Sequence, residues 1–124
     1  MLNLATELAV EAGSISLARF GKAVSQRKAD DSVVTETDYA IQAHIVKRIG
    51  QAYPDHAILA EETPCGECDR RDPTSARYVW VVDPLDGTRE YGEGRSDWAV
   101  HVALSVDGRP AVGAVSLPAL GRIY

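Results

Sequence analysis

The sequence predicts an α+β fold in which two long N-terminal helices pack on a mostly antiparallel sheet. Three observations carry this. Apolar residues recur every three or four positions through residues 2–20 and again through 36–53, the period of one helix face. Beyond residue 56 the period changes to two, most clearly in Trp98-Ala99-Val100-His101-Val102-Ala103-Leu104-Ser105-Val106. Asp107-Gly108 then supplies a hairpin signal, so the strands on either side of it run antiparallel.

The first helix, Leu2 to Phe20, sets Leu4, Leu8, Ala12 and Ile15 on one face, and Gly21 stands where a C-terminal cap belongs. After a short charged stretch, Gln26 to Ser32, a second helix runs from about Glu36 to Tyr53. It carries Ile41, Ile45, Ile49 and Tyr53 on one face, with Thr35 marking its start and Pro54 its end. Strands are expected over Ala57 to Ala60, Tyr78 to Val82, Trp98 to Val106 and Val112 to Leu117, with a polar loop from Thr63 to Ala76. Pro118-Ala119-Leu120-Gly121 reads as a turn and Arg122-Ile123-Tyr124 as the start of a returning strand, so residues 1–124 are expected to be the N-terminal part of something longer.

The 124 residues are enough for one domain with its own core. The net charge of -5, with 18 acidic against 13 basic residues and no long basic run, argues against a nucleic-acid surface. An acidic chain that handles phosphate needs metal ions to bridge the two. Glu7 and Glu11 interrupt the apolar residues of the first helix, which is therefore neither a signal peptide nor a membrane span; no membrane partner and a cytoplasmic location are expected. Cys65 and Cys68 form a single Cys-Gly-Glu-Cys. Zinc would require four ligands, and His56 lacks a companion at finger spacing, so plain loop thiols are preferred to a zinc site or a reversible disulfide.

The chemistry concentrates in Val79-Trp80-Val81-Val82-Asp83-Pro84-Leu85-Asp86-Gly87-Thr88. An apolar, buried-looking strand runs into two carboxylates around a proline, and a type I turn over Asp83-Pro84-Leu85-Asp86 would fold both carboxylates and the Leu85 carbonyl toward one point. Such hard oxygens suit magnesium. Gly87 and Thr88 would open a helical turn whose free amides favour an anion. Glu61-Glu62 closes another strand, and Asp38 lies in the first turn of the second helix. Each has an ordinary explanation alone: a solvated acidic pair for the first, and a capping box with Thr35 for the second.

Taken together, Asp83-Pro84-Leu85-Asp86-Gly87-Thr88, Glu61-Glu62 and Val34-Thr35-Glu36-Thr37-Asp38 resemble the motifs of the inositol monophosphatase superfamily, in the family's order. The resemblance implies a lithium-sensitive hydrolase of small phosphate monoesters that uses two or three magnesium ions, with a homodimer as the state of the full-length protein. It implies that Glu61, Asp83 and the Leu85 carbonyl bind a first ion and that Asp83 and Asp86 share a second. Asp38 and Thr88 would orient and deprotonate the attacking water, the Gly87 and Thr88 amides would contact phosphate, and Glu62 would support the site. The family's further aspartate, in a Trp-Asp-x-x-Ala type motif, has no counterpart after Thr88: Asp97 precedes Trp98, and Asp107 belongs to a hairpin. Residues 1–124 by themselves are therefore expected to be inactive.

Arg89-Glu90-Tyr91 is similar to the Lys-Glu-Phe of the bisphosphate nucleotidase branch, and Lys28 to Thr35 to that branch's Lys-x-Asp-x-Ser-Pro-Val-Thr. Asp97-Trp98-Ala99-Val100-His101 resembles bacterial members. This implies a 3'(2'),5'-bisphosphate nucleotidase that removes the 3'-phosphate of adenosine bisphosphates in sulfur metabolism, with Lys28 and Arg89 offering charge to a second phosphate. The ordinary readings are a solvated hairpin residue for Lys28 and an Arg89 paired with Glu90 or Glu93. Hydrolysis of inositol phosphate or another sugar phosphate is the alternative within the family, and an inactive metal-binding fragment the alternative outside it.

Overall fold

Helix α1 (Leu2–Arg19) opens the computed structural model, which describes residues 1–22, 25–28, 33–62, 65, 68 and 71–124. The helix ends in a type II turn. Phe20 is extended at φ -60°, ψ 134°, Gly21 takes φ +75°, and the Lys22 amide donates to the Arg19 carbonyl at 3.0 Å. Gly21 thus serves a turn that follows the helix, where a helix-capping role was expected. The buried face consists of Ala5, Leu8, Ala9, Ala12, Gly13 and Ser16, with Leu4 and Ile15 at its edges. Close approach selects small residues here: a Cβ on Gly13 would lie 3.1 Å from Pro118 Cγ and 3.2 Å from Ser116 Oγ.

Strands β1 (Ser25–Arg27) and β2 (Val33–Thr35) pair antiparallel within the charged stretch, in keeping with the hairpin reading of Lys28. Asp30, Asp31 and Ser32, part of the nucleotidase-like stretch, lie outside the described residues. Helix α2 (Glu36–Ala52) follows directly, with Thr35 as its N-cap and a complete capping box with Asp38. Ile41, Ile45 and Ile49 are fully buried, each contributing roughly 1.5–3 kcal/mol by leaving water. Pro54 stops the helix because it disfavours helical backbone at Tyr53, which sits at φ -138°, ψ 73°.

A five-stranded sheet takes up the rest, in the order β3 (Ala57–Ala60), β4 (Tyr78–Asp86), β5 (Ala99–Val106), β6 (Arg109–Leu117) and β7 (Arg122–Ile123). Only the β3–β4 pair is parallel. Asp107 and Gly108 both take positive φ, 51° and 75°, as a tight β5–β6 hairpin requires. A 3-10 turn, Pro118–Leu120, with Gly121 at φ 62°, leads into β7. The apolar run in β4 is buried on alternate residues only: Trp80 and Val82 face the helices, while Val81 is 40% and its β3 partner Leu59 52% exposed on the other face. Ile58, Val100, Val102 and Leu104 join Trp80 and Val82 against α1 and α2 to form the core.

Two local features complete the frame. His56 stacks between Tyr53 and Tyr78 with centroids 4.6 and 4.5 Å away. Its Nδ1 lies 3.0 Å from the Trp80 indole nitrogen, which can only donate, so this ring nitrogen is an acceptor and the ring is neutral. Burial holds the His56 pKa below its ordinary value. Cys65 and Cys68 form a disulfide with Cα atoms 5.3 Å apart, a correction to the expected loop thiols. The Cys68 amide approaches the Cys65 carbonyl at 3.5 Å. Among the described residues, no helix is long and apolar enough to cross a membrane.

Candidate metal centre

The C-terminal end of β4 builds the site, and a bulge is what makes it possible. Side chains alternate along a strand, so Asp83 and Asp86, three positions apart, would point to opposite faces of a regular one. Asp83 pairs with His101 and Asp86 with Ala99, so three steps on β4 oppose two on β5. The extra residue returns Asp86 to the same face as Asp83. Pro84, which has no amide to give the ladder, is tolerated at this irregularity. The expected type I turn is therefore a bulged strand, braced by the Leu85 amide donating to Asp83 Oδ1 at 3.1 Å. The expected convergence of the two carboxylates survives.

Glu61, Asp83, Leu85, Asp86, Gly87, Thr88, Arg89 and Glu90 line one open cavity of about 320 Å³. A larger groove of about 790 Å³ lies on the exposed sheet face beside Leu59, Val79 and Val81, but among the described residues its opposed charges are Arg77 and Asp107. The acidic cavity holds the chemistry. Gly87 initiates helix α3 (Thr88–Gly92) at φ 83°, and a Cβ there would sit 2.9 Å from the Asp97 carbonyl oxygen. No other residue meets both demands. Leu85, Tyr91 and Trp98 form a second apolar cluster beneath the turn, and the Tyr91 hydroxyl donates to the Ser16 carbonyl at 2.7 Å.

Asp38 is fully buried and serves two elements. Its Oδ2 accepts from the Thr35 amide at 2.8 Å and the Thr35 hydroxyl at 2.6 Å, closing the capping box. Its Oδ1 lies 2.9 Å from Thr88 Oγ1, which is also 2.8 Å from the Leu85 carbonyl. The capping reading and the functional reading of Asp38 thus describe one geometry. A hydroxyl has one hydrogen, so Thr88 donates to one of these two acceptors at a time while its lone pairs can accept from water.

The Glu61-Glu62 pair divides. Glu61 faces the cavity and Asp83; Glu62 is buried and turns to Lys28, whose Nζ is 2.7 Å from it and 3.8 Å from Glu61. Lys28 is therefore tied to Glu62 at the edge of the site, where a solvated side chain was the ordinary reading. Arg89 is exposed at the cavity rim and, among the described residues, makes no ion pair with Glu90 or Glu93. Gln42 is a positioning residue that the sequence reading missed. Its amide donates to the Glu62 carbonyl at 2.7 Å and accepts from the Glu62 amide at 2.8 Å, clamping the end of β3 to α2. A polar residue beside Ile41 on the buried helix face was the available signal.

Burial, then the hydrogen bond with Asp83 and its charge, pushes the Glu61 carboxyl up to about 7. Burial raises Asp83 as well, aided by the charge of Asp86. Burial also raises Glu62, although Lys28 pulls the other way. Burial works against the Lys28 ammonium, yet its bond to Glu62 and the surrounding carboxylates hold its pKa above the ordinary lysine value. Carboxylates pressed together in this way suit a cation, which relieves their repulsion and displaces the shared proton. The donor set fits magnesium: Glu61, Asp83, Asp86 and the Leu85 carbonyl offer the hard oxygens it takes.

Comparison with known proteins agrees with this architecture. The inositol monophosphatase family pattern matches residues 1–124. The chain is 36% identical to the histidinol-phosphatase of Chlorobaculum parvum over 99% of its own length and 46% of the relative's. It is 39% identical to the 3'(2'),5'-bisphosphate nucleotidase CysQ of Salmonella typhimurium over 79% of its length and 39% of the relative's. The solved inositol monophosphatase from Anabaena superposes with a TM-score of 0.78 at 31% identity, over 98% of this chain and 41% of that one. The chain thus spans about half the length of the curated relatives it matches. An acidic pocket at a strand bulge, in a fold shared throughout these 124 residues, places the chain in the inositol monophosphatase family.

Proposed function

We propose that the protein carrying this chain hydrolyses small phosphate monoesters with bound magnesium. The observation that carries the reading is the cavity in which Glu61 and Asp83 press together beside Asp86, Gly87 and Thr88. When bound, the cations supply positive charge that lowers the pKa of water and offsets charge on the phosphate. The chain's own residues do the rest. Asp38, held by Thr35, fixes the Thr88 hydroxyl, whose lone pairs accept a hydrogen bond from the attacking water. Gly87, the N-cap of α3, and Thr88, its first residue, have amides with no partner inside the helix to offer an anion.

For substrate, we favour a nucleoside 3',5'-bisphosphate. The likeness to CysQ supports this, as does Arg89, an exposed guanidinium at the cavity rim whose planar fork suits a second phosphate. A second reading, histidinol phosphate, rests on a match that runs along 99% of the chain. Relative kcat/KM for adenosine 3',5'-bisphosphate, histidinol phosphate and inositol 1-phosphate, with magnesium saturating, tests the ranking. The bisphosphate should lead, and Arg89→Thr should narrow its lead. A clear preference for either monophosphate would reverse the assignment.

A further inference from the structure

The Cys65–Cys68 disulfide has no part in the chemistry above, yet it lies on the segment that leaves the metal centre. Glu61 and Glu62 directly follow β3, and Cys65 follows Glu62 by three residues. Cys68 is buried in the main apolar core, and the partly buried Cys65 packs against it. With the bond formed, the chain leaving Glu62 is tied to that buried anchor after three residues; with the bond open, it reaches the anchor after six. What then holds this end of β3 is the Gln42 clamp and the Lys28 bond to Glu62. A ring closed over so few residues takes little entropy from the unfolded chain, so the bond acts on local order more than on global stability.

We propose that Cys65 and Cys68 form a thiol–disulfide switch coupled to the cation site, in which the oxidised pair favours the magnesium-binding arrangement of Glu61 and reduction by a dithiol weakens it. Thiols at Cys-x-x-Cys spacing are disposed to such exchange. One thiolate of the dithiol attacks the sulfur of Cys65, the more exposed of the pair. The bond between the two cysteines breaks, a mixed disulfide forms, and Cys68 leaves as a thiolate that takes a proton. The second thiolate of the reductant then attacks its own sulfur in the mixed disulfide, and Cys65 leaves and is protonated in turn. The protein has gained two electrons and two protons, and the dithiol has become a disulfide. The proposal rests on the reading of Glu61 as a magnesium ligand and adds a control to it.

The test uses the full protein, Mg2+ and dithiothreitol as the dithiol, with peptide mass mapping to report the state of this pair. The Mg2+ Kd should rise about fivefold or more on reduction, the low end of coupling between two sites. Linkage requires the converse: saturating Mg2+ should make the pair harder to reduce, shifting its equilibrium with dithiothreitol by the same factor. Cys65→Ser should bind Mg2+ as the reduced protein does, whatever the dithiothreitol concentration. A Mg2+ Kd that ignores reduction, or a reduction equilibrium that ignores Mg2+, would overturn the switch and leave the phosphatase reading standing. A pair that stays as two thiols under a mild oxidant would overturn it as well. Absence of Mg2+ binding in both states would bring down both readings. The equilibrium measured on the unmodified protein decides the matter even if the variant folds poorly.

Discussion

Individual residues in this site answer to two requirements at once. Gly87 must hold positive φ and leave room for the Asp97 carbonyl. Gly87→Ala should therefore cost about 2 kcal/mol or more, since left-handed backbone alone costs about 1–2 kcal/mol in a residue with a Cβ; urea unfolding measures it. The Glu61–Asp83 contact predicts a pH effect of defined sign. With its pKa raised to about 7, the folded Glu61 binds a proton that the unfolded chain releases at ordinary carboxylate pH. Its stabilising share is fully present below the unfolded value and is lost as pH rises through about 7. The Tm of metal-free protein should fall over that window, and saturating magnesium should flatten the slope. A metal-free Tm that rises with pH there would contradict the shared-proton geometry.

At the scale of elements, the site depends on contacts between segments far apart in sequence. Gln42 on α2 holds the backbone of Glu62 through two hydrogen bonds. Gln42→Leu should strand two buried backbone groups at about 1–3 kcal/mol each and weaken magnesium binding by roughly tenfold, as calorimetry would register. Ile45→Ala, in the core and away from the pocket, should cost about 2–5 kcal/mol with little change in magnesium Kd. These elements were not equally legible in the sequence. Helix α2 was, because Ile41, Ile45 and Ile49 keep strict helical spacing between a capping box and a proline. The face of α1 came out rotated toward alanines, since the spacing of large residues does not report how closely β6 approaches Gly13. The three-residue strands β1 and β2 are too short to carry a period. Asp83, Asp86 and Thr88 were visible as local motif residues, but the Gln42 clamp and the Lys28–Glu62 pair cross 20 and 34 residues and only the fold reveals them.

For the molecule as a whole, the helices cover one face of the sheet and the carboxylates gather toward the other. Among the described residues, Asp83 and Asp86 are the aspartates that line the cavity, and the further aspartate expected from the motif resemblance is not among them. The 124 residues produced by themselves should accordingly bind magnesium weakly and release phosphate slowly, which a magnesium titration followed by a phosphate assay checks. The central claim is that the carboxylates at the β4 bulge hold the cations on which hydrolysis depends. Magnesium-dependent phosphate release by the full protein and by its Asp83→Asn variant tests it most directly. The unmodified protein should be silent without magnesium and active with it, and Asp83→Asn should lose at least about 100-fold, the upper end of what even a supporting group's removal costs. Near-normal turnover in Asp83→Asn at saturating magnesium, or turnover indifferent to magnesium, would contradict the account.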